Sequence, residues 1–186
     1  MKSIYKGILT FTLVVVMTGC GSIQEKAPVN SGVTKSIETT LVDTAGKQVG
    51  EAHLTENDGV LTISLKAEGL EPGTHGIHLH EKGVCTPPDF KSAGGHFNPT
   101  DKEHGFDNPK GYHQGDLPNL EVGRNGKVAV QLSMHNVALQ PGKPNSLLDE
   151  DGSSLVIHAG PDDYKTDPAG NSGDRIVCGE IKDKSE

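Results

Sequence analysis

From residue 35 onward the chain alternates apolar and polar residues in short runs broken by glycine, asparagine and aspartate, and this period-two rhythm restricts it to β structure. Residues 36–43 and 48–55 read as two strands joined across Thr44-Ala45-Gly46-Lys47. A third begins after Asp58-Gly59, a dipeptide that favours tight hairpins because both residues tolerate positive φ. Residues 74–81 read as a fourth strand, 119–122 and 127–132 as a further hairpin, 154–158 as a buried strand and 175–181 as the last; 147–148 open a short strand or a turn. With 24 glycines, 11 prolines and no tryptophan, many short strands suit the composition better than long helices. The predicted class is all-β, an eight-stranded Greek-key β-barrel or sandwich with two long functional loops at 82–118 and 159–174.

A loop as long as 82–118 inside a compact domain is either functional or a sign of misassignment, and its histidines decide for function. Six of the nine histidines lie between His75 and Asp116. Alternate side chains of a strand share a face, so His78 and His80 point one way while Ile77 and Leu79 point the other. His78, His80, His96, His104, His113, Asp116 and His158 make seven candidate ligands, too many for one zinc ion and enough for two adjacent metals. Three nitrogens and a carboxylate suit tetrahedral zinc, and four nitrogens suit copper. Seven residues fill eight donor positions only if one imidazole is shared, which points to a redox centre rather than a structural zinc. His53 and His135 stand alone and read as ordinary surface or core histidines.

Met1 to Lys6 carries positive charge, residues 7–17 carry none, and Thr18-Gly19-Cys20 follows, the three parts of an export signal. The apolar run is too short to span a bilayer comfortably. It resembles a bacterial lipoprotein signal, which implies a signal peptide over 1–19, a lipid-bearing Cys20, a flexible tether over 20–35 and a folded domain over 36–186. Met17 stands where that motif usually has leucine, so plain secretion with cleavage nearby is the alternative. With Cys20 set aside for lipid, Cys85 and Cys178 remain as a pair for an oxidising compartment, against the alternative of two separately buried thiols. A net charge of -8 argues against nucleic acid, and an anionic substrate would need local attraction from a metal or one placed arginine.

Residues 36–182 closely resemble the copper-zinc superoxide dismutases. Gly76-Ile77-His78-Leu79-His80-Glu81 resembles the family's copper-binding strand, Gly95-His96-Phe97-Asn98-Pro99 the segment of the bridging histidine, and Gly115-Asp116-Leu117-Pro118-Asn119 the end of the zinc loop. The resemblance implies copper on His78, His80, His96 and His158, zinc on His96, His104, His113 and Asp116, and a disulfide between Cys85 and Cys178. It also implies that Asp162 joins a copper-ligand imidazole to a zinc-ligand one, that Arg175 guides the anion, and that His75 is structural. The implied reaction converts two superoxide anions to dioxygen and hydrogen peroxide, with His96 exchanging a proton. The short spacing from His80 to Cys85 looks like the bacterial branch and leaves monomer or homodimer undecided. The expected location is the outer face of a bacterial cell membrane, reached through the lipid anchor only. Two other readings compete: a non-catalytic lipoprotein that buffers or delivers metal, which would favour clustered thiolates or methionines, and a purely structural zinc domain, which would leave His78, His80 and His158 without a purpose.

Overall fold

Asp58 and Gly59 adopt φ of 49° and 78°, the two positive values that a two-residue hairpin turn requires. They set β2 (Gln48–Asn57) against β3 (Val60–Glu68), and β1 (Lys35–Asp43) pairs along the other edge of β2. This is a computed structural model describing residues 35–183; the predicted signal 1–19, Cys20 and nearly all of the tether lie outside the described residues. The chain continues through β4 (Gly73–His75), β5 (Ile77–His80), β6 (Leu120–Val122), β7 (Lys127–His135), β8 (Ser153–His158) and β9 (Arg175–Ile181). A single turn of 3-10 helix at Lys91–Ala93 is the only helical element among the described residues.

Seven strands form one curled antiparallel sheet in the order β5-β8-β9-β1-β2-β3-β7, and β4 pairs separately with β6. Pairs between strands distant in sequence, β3 with β7, β5 with β8 and β1 with β9, give the Greek-key character. The strand expected at 74–81 is broken at Gly76, which raises the count from eight to nine. Gly76 donates its N–H to the Gly160 carbonyl in the second long loop and accepts from the N–H of His158, the last residue of β8, so the loop takes one side of its peptide and the strand end the other. The pair Leu147-Leu148 forms no strand; the Leu147 N–H donates to the Ala138 carbonyl beside an isolated bridge between Ala138 and Ser146.

Ile77 and Leu79 of β5 join Leu155 and Ile157 of β8, Leu41, Leu54, Ile63, Leu65 and Val177 in the core inside the curl. The opposite face of β8 is also covered: Val156 packs with Phe90, Ala93 and Cys178 under the loop that follows β5. Burial on both faces explains why 154–157 lacks alternation, since every residue of β8 is removed from water. Each fully buried leucine or isoleucine there contributes about 1.5–3 kcal/mol of transfer free energy. The sheet at β5 and β8 is therefore a rigid floor, and the side chains on its outer face are held as firmly as those of the core.

Candidate metal centre

His78 and His80 sit on that outer face, opposite Ile77 and Leu79, and both are fully buried by the loops above. Residues 81–119 fold back over β5 through main-chain bonds: Phe97 donates to Leu79, Leu79 to Gly115, and Gly115 to Phe97. Bridges of the same kind pair His80 with His96 and His78 with Asp116. Gly115 is required here, because a Cβ on it would lie 2.4 Å from the Leu79 carbonyl oxygen. The disulfide Cys85–Cys178 ties the same loop to β9 across 93 residues of sequence.

Two groups of donors result. In the first, Nδ1 of His78 and Nε2 of His80, His96 and His158 are buried and lack any hydrogen-bond partner, and the four residues offer ligand atoms within 4.8 Å of one another. The other nitrogen of each ring is occupied: His78 Nε2 by Asp162 Oδ2 at 2.8 Å, His80 Nδ1 by the Gly94 carbonyl at 3.1 Å, His158 Nδ1 by the Gly173 carbonyl at 3.1 Å. A carbonyl or carboxylate only accepts, so these contacts put the proton on the occupied nitrogen and leave a lone pair on the inward one. Burial pushes the His96 imidazolium down to about 4 and that of His158 to about 3, and it lowers His78 and His80 as well. Neutral imidazoles with inward lone pairs are the form that binds metal. Four buried acceptors with no donor are otherwise costly, and a cation at their centre satisfies all of them at once.

The second group is tighter. Asp116 Oδ1 lies 3.0 Å from Nδ1 of His96, 3.0 Å from Nδ1 of His104 and 3.3 Å from Nδ1 of His113, and the His96 and His113 Nδ1 atoms are 3.3 Å apart. A tetrahedral ion at about 2.0 Å from each ligand separates its ligands by roughly 3.3 Å, so this spacing fits a zinc-sized site. Asp116 Oδ2 accepts from the N–H groups of Gly105 and His113, which fixes the carboxylate. His78 also falls within 4.8 Å of His96, His104 and Asp116; its one unpartnered nitrogen, Nδ1, is taken by the first group, and His113 Nδ1 lies 3.3 Å from both Asp116 Oδ1 and His96 Nδ1, so His113 is the better fourth member. His104 Nε2 meets Asp162 Oδ1 at 3.0 Å, and Asp162 thereby touches one ring from each group. His96 belongs to both, with Nδ1 in the second group and Nε2 in the first.

A surface depression opens onto His96 and His158, and Arg175 is the only lysine or arginine lining it, beside the carboxylates of Glu81 and Asp101. Arg175 donates from Nη1 to the Phe90 carbonyl at 2.8 Å and from Nη2 to the Gly94 carbonyl at 2.7 Å. His75 lies outside both groups, its ring set between the Glu71 and His158 carbonyls at 2.8 Å each. His53 and His135 are exposed on the sheet. The structure thus brings together all seven expected donors. Asn119, Tyr164 and the carbonyl of Gly94 also shape the site, but a backbone acceptor and two non-ligating side chains carry no signal in a sequence.

A family model described as copper/zinc superoxide dismutase (SODC) matches residues 48–181. The superoxide dismutase-like protein YojM of Bacillus subtilis is 47% identical over 180 residues, covering 91% of this chain and 92% of the relative. Superoxide dismutase [Cu-Zn] 2 of Aquifex aeolicus is 51% identical over 143 residues, covering 76% of this chain and 84% of the relative. Among solved structures, a SOD-like protein from Bacillus subtilis superposes with a TM-score of 0.75 at 51% identity, covering 77% of this chain and 97% of that one. The Cu/Zn superoxide dismutase from Brucella abortus gives 0.63 at 30% identity, covering 79% and 99%. With the family match extending over most of the sheet and both donor groups, the chain belongs to the copper/zinc superoxide dismutase family, oxidoreductases that use copper and zinc.

Proposed function

We propose that the chain dismutates superoxide at a copper ion held by His78, His80, His96 and His158, with His96 shared by a zinc ion that His104, His113 and Asp116 complete. The observation that carries this reading is the convergence of four buried, unpartnered imidazole nitrogens on one point, next to a tetrahedral set that shares one of the four rings. Copper supplies a one-electron acceptor and donor when bound, and zinc a fixed positive charge. The remaining chemistry belongs to the side chains. Two superoxide anions and two protons give one dioxygen and one hydrogen peroxide, so a proton must be held inside the site between the two halves. His96 Nε2 is the atom suited to hold it, since it is buried and unpartnered on a ring that lines the depression. Arg175 draws the anion into a molecule whose net charge is -8 and orients it beside His158. Asp162 keeps the His78 and His104 rings in their orientations.

An extracytoplasmic protein with an intact disulfide agrees with this chemistry. The reading further assigns a signal peptide to 1–19, lipid to Cys20, a tether to 20–35 and the catalytic domain to 36–186, so that the enzyme intercepts superoxide at the cell surface. Loading the purified protein with copper and zinc and assaying superoxide consumption tests the function. Strong activity that tracks copper content is expected, and a fully metallated sample without activity refutes the proposal.

A further inference from the structure

Tyr164 sits in the second long loop with a left-handed backbone, φ 60°, and touches three separate parts of the site. Its hydroxyl accepts from the Asn119 N–H at 2.7 Å, where the zinc-side loop runs into β6. Its own N–H donates to Asp162 Oδ1 at 2.7 Å, the same oxygen that His104 contacts. Its carbonyl accepts from the Asp107 N–H at 2.9 Å, three residues past His104. Asn119 closes the circuit: its side-chain oxygen accepts from the Asp162 N–H and its amide donates to the Asp162 carbonyl, both at 2.9 Å. Asp162 is thus held at its carboxylate by Tyr164 and at its main chain by Asn119, and the Tyr164 hydroxyl holds Asn119 in turn.

We propose that Tyr164 is a positioning residue that locks Asp162 to the loop carrying His104, His113 and Asp116, so that zinc affinity depends on its hydroxyl. The inference rests on the assignment of zinc to that loop. Without the hydroxyl, the half-buried Asn119 N–H loses its acceptor, and Asn119 and Asp162 become free to shift together. Asp162 Oδ1 then no longer fixes the His104 ring, and the tetrahedral set loosens through a residue that touches no metal. Phe106 packs against the Tyr164 ring at 5.6 Å and remains in place in a phenylalanine variant, so the change is confined to one oxygen.

The test compares the parent chain with Tyr164→Phe, Asp162→Asn and the double variant, measuring zinc affinity by chelator competition and the visible spectrum of Co(II) bound in place of zinc. Tyr164→Phe is expected to weaken zinc binding about tenfold and to shift the Co(II) bands, whereas in the Asp162→Asn background the same change costs less than about twofold. Parental zinc affinity in Tyr164→Phe overturns the inference, as does an equal loss in both backgrounds, which would mean that the hydroxyl supports folding and not Asp162. If Asp162→Asn weakens zinc and Tyr164→Phe does not, the zinc assignment stands and the inference alone falls. If Asp162→Asn is itself without effect on zinc, the assignment falls and the inference with it.

Discussion

His80 and Arg175 meet on one oxygen: the Gly94 carbonyl accepts from His80 Nδ1 at 3.1 Å and from Arg175 Nη2 at 2.7 Å. The proton placement of an inward-facing imidazole and the position of the guanidinium are therefore set by the same peptide. That peptide lies in the loop which the Cys85–Cys178 disulfide fastens to β9, the strand that Arg175 begins.

Replacing Arg175 separates its charge from its geometry. Arg175→Lys retains the charge but loses the fork that spans the Phe90 and Gly94 carbonyls, and Arg175→Ala loses both. Arg175→Ala is expected to lower kcat/KM for superoxide about tenfold and to flatten its fall with ionic strength, with Arg175→Lys in between. Stopped-flow measurement across a salt series checks this, and a parental rate and salt slope in Arg175→Ala would remove the steering role.

Opening the disulfide should cost stability before it costs metal. A bond closing a loop of this length contributes roughly 4–5 kcal/mol in the chain-entropy account. Cys178→Ser is expected to lower the denaturation midpoint by a corresponding amount and, through release of the Phe90 and Gly94 carbonyls, to reduce activity at full metal loading. Denaturant titrations of both forms test the first part. A midpoint shift without loss of activity would show that β9 holds Arg175 unaided.

Between two carboxylates, the His104 imidazole holds its proton more tightly than a free one. Burial opposes the His104 imidazolium, but hydrogen bonds to the Asp116 and Asp162 carboxylates outweigh it and raise its pKa from the ordinary 6.5 to about 9. A group raised in the folded state stabilises fully below its unfolded pKa and loses that contribution as pH rises through the folded value. The melting temperature of the metal-free form should therefore fall between pH 6.5 and about 9, and calorimetry over that window measures it. If His104 ligates zinc as proposed, zinc binding near neutral pH releases this proton into solution. A pH-independent melting temperature across the window would contradict the paired geometry.

The strand rhythm and the histidine spacing made much of this legible from the chain alone. His78 and His80 share a face because strands alternate, and Asp58-Gly59 sets its hairpin because both residues accept positive φ. The break at Gly76 was hidden, since a glycine inside an alternating run is compatible with an unbroken strand until its N–H turns to Gly160 in the second long loop. The supports of the site were hidden for a related reason. Asn119, Tyr164 and the Gly94 carbonyl act by meeting groups 14 to 81 residues away, and only the folded chain brings those partners together.

The proposed site makes His96 one ligand for two metals. Placing Co(II) on the zinc side and Cu(II) on the copper side and recording the low-temperature EPR spectrum tests it directly, because a shared imidazolate couples the two paramagnetic ions magnetically. The ordinary Cu(II) signal is expected to disappear in the doubly loaded protein and to return in His96→Ala loaded in the same way. A full-intensity, unperturbed Cu(II) spectrum in the doubly loaded parent would contradict it.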